Sequence, residues 1–122
     1  MNLCYRTYPD ADIIETWTEI THEEKTAITL NRFASAYLPI RIGDVWVSHL
    51  YGSWANEAQL AQEPLRPGIK MIKNKDGIRN SHTAHAEVMI SLDGKPKENT
   101  GSVIGVALCY SGNYKLFFDT DD

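Results

Sequence analysis

Two stretches of the chain hold residue types that do chemistry. The first, "YGSWANEAQ" at residues 51–59, sets Trp54, Asn56 and Glu57 within four positions. A ring beside an amide and a carboxylate suits a sugar-stacking patch, where C–H faces lie on the aromatic and hydroxyls bond to polar groups. The same residues also suit a piece of an active site or a bend in a sheet. Glycoside cleavage needs two carboxylates about 5–10 Å apart. Most of the acidic residues fall where solvent is expected: Glu23, Glu24, Asp93, Glu98 and the terminal "DTDD". Glu57 is the exception, and an ion pair with Arg66 or Arg79 at a strand edge is its expected role. The second stretch is "HTAH", His82 and His85. An H-x-x-H pair can serve zinc, but strand or loop backbone splays the two rings, and only Glu87 is near as a further ligand. Polar loop histidines are therefore expected, with no metal and no cofactor. No nucleophile elbow, phosphate loop or dinucleotide fingerprint is present.

These side chains depend on strands for their placement. "LCYRTY" and "DIIETWTEIT" alternate in the two-residue period of a half-buried strand, with a Pro9-Asp10 turn between them. "AITLNRFASAYL" at 27–38 reads as a further strand on its β-branched start. "DVWVSHLYG" is another. "NEAQLAQEPL" carries good helix formers that Pro64, Pro67 and Gly68 cut short. "GIKMIKNKDGI" reads as strand, turn, strand, so that the basic group from Lys70 to Arg79 becomes a solvated hairpin tip. The remainder supplies three strands, separated by a loop at 93–101 and a tight "YSGNY" turn. Trp17 and Trp46 are expected in core or inter-domain packing, which leaves Trp54 as the best contact for a ligand or a partner domain. About eight short strands predict an all-β antiparallel sandwich with few or no helices.

Bulk properties narrow the partners. The 122 residues fit one domain, able to bury roughly two-thirds of its unfolded surface. Hydrophobic residues make up 43% and charged residues 23%, a globular balance. A net charge of -4 with scattered Lys and Arg argues against nucleic acid. No run approaches ~20 apolar residues, and no signal peptide is read at the N-terminus, so no membrane span is expected. Cys4 and Cys109 form no motif and sit among apolar neighbours, which suggests buried, inert thiols.

The ordered stretches "HLYGSWANEAQLAQEPLRPGIKMIKNKDGIRNSH" and "TGSVIGVALCYSGNYKLFFDTDD" carry a family pattern. They resemble the N-terminal β-supersandwich domain of glycoside hydrolase family 36 α-galactosidases, the melibiases. The family's Gly-x-Trp-x-x-Glu segment falls on Gly52, Trp54 and Glu57. Its Pro-Leu-x-Pro-Gly turn falls on Pro64, Leu65, Pro67 and Gly68, and its Gly and Ser-His loop on Gly77, Ser81 and His82. The last match runs through Val103, Gly105, Leu108, Tyr110, Ser111, Gly112 and Asn113. After Ser-His the family has a stretch ending Asn-Pro-Phe, where this chain reads "TAHAEVMIS".

The resemblance implies a retaining α-galactosidase whose two catalytic aspartates lie on a separate (β/α)₈ barrel, with none of that barrel in residues 1–122. On that footing the chain is one partial sandwich domain, a non-catalytic fragment that supports the barrel. Its expected partners are the barrel, a second copy through exposed sheet edges, and galactosides. Trp54, Asn56, Glu57 and His82 are the candidates for sugar or inter-domain contact. An independent carbohydrate-binding sandwich is the alternative reading.

Overall fold

A computed structural model describes residues 1–41, 43–79 and 82–121. Ser81, one residue of the family match above, lies outside the described residues. The chain falls into two compact units, Met1–Ile40 and Arg41–Asp122.

In the first unit the alternating segments form strands β1 (Asn2–Tyr8) and β2 (Ile13–Glu19). They pair antiparallel without a slip, from Asn2 opposite Glu19 to Tyr8 opposite Ile13. Pro9 opens the single 3-10 turn between them, and Asp12 leaves it at φ 53° with its N–H donating to the Pro9 carbonyl at 3.4 Å. Arg6 Nη1 lies 3.2 Å from Glu15 Oε2, and its guanidinium sits 5.5 Å from the Trp17 ring. Residues 27–38, expected as a strand, hold no regular element. The β-branched pattern is there, but a strand needs a ladder partner, and the segment has none among the described residues. The Thr18 hydroxyl of β2 donates toward the carbonyls of Ala34 and Ser35 in this segment at 3.5 and 3.4 Å.

The second unit holds β3 (Trp46–Ser53), β4 (Asn56–Pro64), β5 (Gly68–Asn74), β6 (Ala84–Ser91), β7 (Val103–Ala107) and β8 (Tyr114–Thr120). One sheet has the order β4-β3-β6-β7 and the other pairs β5 with β8, all antiparallel. Val47, Ala84 and Val88 from the first sheet meet Ile72 from the second, with Leu65, Val106, Leu116 and Phe118 packed around them. Two antiparallel sheets thus close face to face over one core, as a sandwich. The buried Tyr114 hydroxyl donates across the layers to the Ala84 carbonyl at 3.1 Å. Burial pushes that phenol above its ordinary value, and the Glu87 carboxylate adds to the shift.

Several local expectations change. Helix formers fill β4, yet it is a strand, because its partner β3 is central and supplies a full ladder. "NKDG" turns the chain, but among the described residues no strand follows before Ala84, and Ile78 is exposed. β5 pairs with β8 instead, from Gly68 opposite Thr120 to Asn74 opposite Tyr114. "YSGNY" is consequently a crossover from one sheet to the other rather than a hairpin turn. Buried Asn74 ties this crossover to the turn after β5, with Nδ2 donating to the carbonyls of Gly77 at 2.8 Å and Gly112 at 3.2 Å. Cys109 is exposed and Cys4 half-buried, and Trp17 and Trp46 are half-buried outside the core. No helix among the described residues is long and apolar enough to cross a membrane.

Candidate functional site

The stretch at 51–59 is the tip of the β3–β4 hairpin. Ser53 pairs with Asn56, which leaves Trp54 and Ala55 as the connecting loop. Ala55 takes φ 61°, in the left-handed region, whereas Trp54 before it does not. Behind the loop, Gly52 alone on β3 stands opposite Glu57 and Ala58 on β4, a bulge with Ala58 at φ 57°. A Cβ at Gly52 would lie 2.8 Å from both the Asn56 carbonyl oxygen and the Glu57 Cα. The glycine is there because two backbones meet at that point.

The Glu57 carboxylate works inside the turn. Its Oε1 accepts the Ala55 N–H at 3.0 Å, and no ion pair joins it to Arg66 or Arg79. With the backbone donor held in this way, Trp54 projects from the tip at 82% exposure. Its ring borders an open depression lined by Ser53, Trp54, Asp76, Arg79, His82 and Thr83. The structure therefore brings Trp54 and His82 to one place, whereas Asn56 and Glu57 sit on the hairpin beside it. Sequence reasoning missed Asp76 and Arg79 as neighbours of Trp54. The "NKDG" turn was visible, but nothing in its residues says that it folds toward the β3–β4 tip. A second depression under the loop between β6 and β7 includes Ser91, Asp93, Lys95 and Lys97. Each depression is lined by a single carboxylate, where cleavage of a glycosidic bond uses two.

A polar cluster also lies between the sheets. His49 shares the inward face of β3 with Val47, and Lys70 shares the inward face of β5 with Ile72. Both converge on Glu63, with Nζ of Lys70 at 2.6 Å and Nε2 of His49 at 3.3 Å from Oε1. The hydrogen bond from Lys70 holds the Glu63 carboxyl below the usual carboxylate range, against the opposing effect of burial. Lys70 is therefore a partner of the sandwich rim rather than part of a solvated tip. His85 Nδ1 sits 3.6 Å from Glu87 Oε2. Among the described residues no group of three or more His, Cys, Asp or Glu is placed to hold a metal ion.

Comparison with known proteins supplies the context for this geometry. The pattern described as "Glycosyl hydrolase family 36 N-terminal domain" matches residues 1–122. The chain is 30% identical over 120 residues to alpha-galactosidase Mel36A of Lactobacillus acidophilus, covering 98% of this chain and 16% of that protein. It is 27% identical over 121 residues to alpha-galactosidase 2 of Pediococcus pentosaceus, covering 99% of this chain and 17% of that protein. With the bifunctional alpha-galactosidase/sucrose kinase AgaSK of Mediterraneibacter gnavus the identity is 28% over 121 residues, 99% of this chain and 13% of the relative. The chain thus spans about a sixth or less of the length of these relatives. A sandwich whose Gly-Trp-Glu hairpin, Pro-Gly turn and crossover follow the family's order, matched from end to end, belongs to the glycosyl hydrolase family 36 N-terminal domain.

Proposed function

We propose that this chain is a non-catalytic piece of a retaining α-galactosidase acting on terminal α-galactosides, where it supports the catalytic barrel and contributes contacts between subunits. The observation that carries the reading is the outer face of the four-stranded sheet. Across the cross-strand rows from Val103 to Pro64 and from Ala107 to Leu60, Glu87 is the one charged side chain. Leu60, Met89 and Val103 on that face are 55%, 49% and 50% exposed. Ser48, Gln62 and Ser91 are its other polar side chains, and a face this sparsely charged with Leu60, Met89 and Val103 half exposed supports packing against another part of a protein. In the parent enzyme that part is the barrel or an adjoining layer.

Trp54 supports a second reading, an independent sugar-binding module, because its ring is free beside Asp76 and Arg79. Titrating the 122-residue chain with galactose while recording its amide and indole NMR signals separates the two. Unmoved signals are expected for the supporting domain. Saturable movement of the Trp54 indole would replace that reading with the binding module.

A further inference from the structure

The depression beside Trp54 has walls of different origin. Ser53 and Trp54 belong to the β3–β4 hairpin, whereas Asp76 and Arg79 belong to the turn that follows β5. The "YSGNY" crossover does not line the depression, yet two of its residues are bonded to that turn or to the side chain that holds it.

Gly77 is gripped through both of its backbone groups. Its N–H donates to Asn113 Oδ1 at 2.9 Å, and its carbonyl accepts from Asn74 Nδ2 at 2.8 Å. The same Asn74 side chain accepts the Asp76 N–H through Oδ1 at 3.1 Å and donates to the Gly112 carbonyl at 3.2 Å. Arg79 N–H then donates to the Asp76 carbonyl at 3.4 Å. Asn74 is 2% exposed and stands opposite Tyr114, the last pair of the β5–β8 ladder. Two amide side chains therefore carry that ladder beyond its last backbone pair, and the turn is built onto the extension. Packing contributes little at its tip. A Cβ at Gly77 would meet nothing within 4 Å, and Ile78 is 81% exposed. Hydrogen bonds hold the turn instead, with Gly77 at φ 63°, a conformation that glycine adopts without strain.

We propose that Asn113 is a positioning residue for the Trp54 depression, setting through Gly77 where Asp76 and Arg79 stand along its wall. Asn74 shares the task from inside the fold. The inference rests on reading the depression as a contact surface, where the Trp54 ring offers an apolar face and Asp76 and Arg79 offer polar groups. It adds that the spacing between ring and polar wall is governed from the start of β8, a strand that does not itself line the depression.

Amide and indole NMR spectra of the 122-residue chain test this without any sugar. Asn113 is exposed, so Asn113→Ala removes the acceptor without touching the core. Exchange of the Gly77 N–H is expected to quicken about fivefold, the worth of one ordinary hydrogen bond. The amide signals of Asp76 and Arg79 and the Trp54 indole signal should shift with it, while those of Met71, Val88 and Leu116 stay in place. Asn113→Asp keeps an oxygen acceptor at the same position and should restore both the slow Gly77 exchange and the Trp54 indole. An indole that ignores Asn113→Ala, or an Asp variant that fails to restore it, would overturn the proposal. Shifts that spread along β5 and β8 would overturn it too, since they would make Asn113 a support of the ladder rather than of the depression. Galactose is read in its own titration, and an indole that ignores the sugar bears on the binding-module reading alone.

Discussion

At the scale of single residues, two positions make sharp demands. Gly52 faces backbone atoms, which cannot swing aside as a side-chain end can. Gly52→Ala must open the bulge, and we expect a loss of about 1–3 kcal/mol in urea unfolding with a shift in Trp54 fluorescence. An unchanged midpoint would mean that the hairpin tip yields easily. Glu63 sets the acid response. Its carboxyl is depressed by Lys70, so its stabilising effect is complete above the unfolded carboxylate value of about 4.3 and fades as the pH falls through the lower folded value. Lys70→Met should therefore lower the urea midpoint near neutral pH and flatten its decline toward pH 3. Identical pH profiles for the two proteins would remove Glu63 from the account. The site residues were legible to different degrees. The exposed ring of Trp54 could be read from its place in a polar bend. The role of Glu57 could not, because accepting the Ala55 N–H depends on turn dihedrals that composition does not encode.

At the scale of elements, two-residue alternation located most strands, both where one face meets the core, as in β3 and β6, and in β1 and β2, which have no buried face. It failed at residues 27–38, where the pattern exists without a ladder, and in β4, where the central neighbour overrides helix-forming composition. Pairing was the least legible feature. A turn after β5 suggests a local hairpin, but the inward faces of β5 and β8 share one apolar surface, and that decides the match. Tyr114 holds the layers together at this point. Tyr114→Phe leaves the Ala84 carbonyl without its donor in a buried place, and a cost of about 1–3 kcal/mol is expected by denaturant unfolding. Val47 has 0% exposure, and Val47→Ala should cost about 2–3 kcal/mol through lost burial and the cavity left behind. A smaller loss for Val47→Ala than for a surface variant such as Lys73→Ala would place the core elsewhere.

At the scale of the whole chain, stability is distributed unevenly. Met1–Ile40 contains no fully buried residue, and a two-stranded hairpin alone is marginal in water. Brief trypsin treatment is expected to cut after Lys25 while Arg41–Asp122 persists, as mass spectrometry of the fragments can check. Early cuts after Lys73 in β5 or Lys115 in β8 would reverse that order. The β5–β8 ladder has a consequence in time. It joins Gly68 to Thr120, so a growing chain that has just completed β3, β4 and β6 holds Val47 and Val88 with no opposite layer to cover them. Only when residues 114–120 leave the ribosome can the second sheet form, and until then the apolar inner surface is open to a chaperone or to a neighbouring nascent chain. Synthesis thus leaves this core uncovered until β8 emerges, and the speed of translation across β8 bears directly on how long Val47 and Val88 stay open.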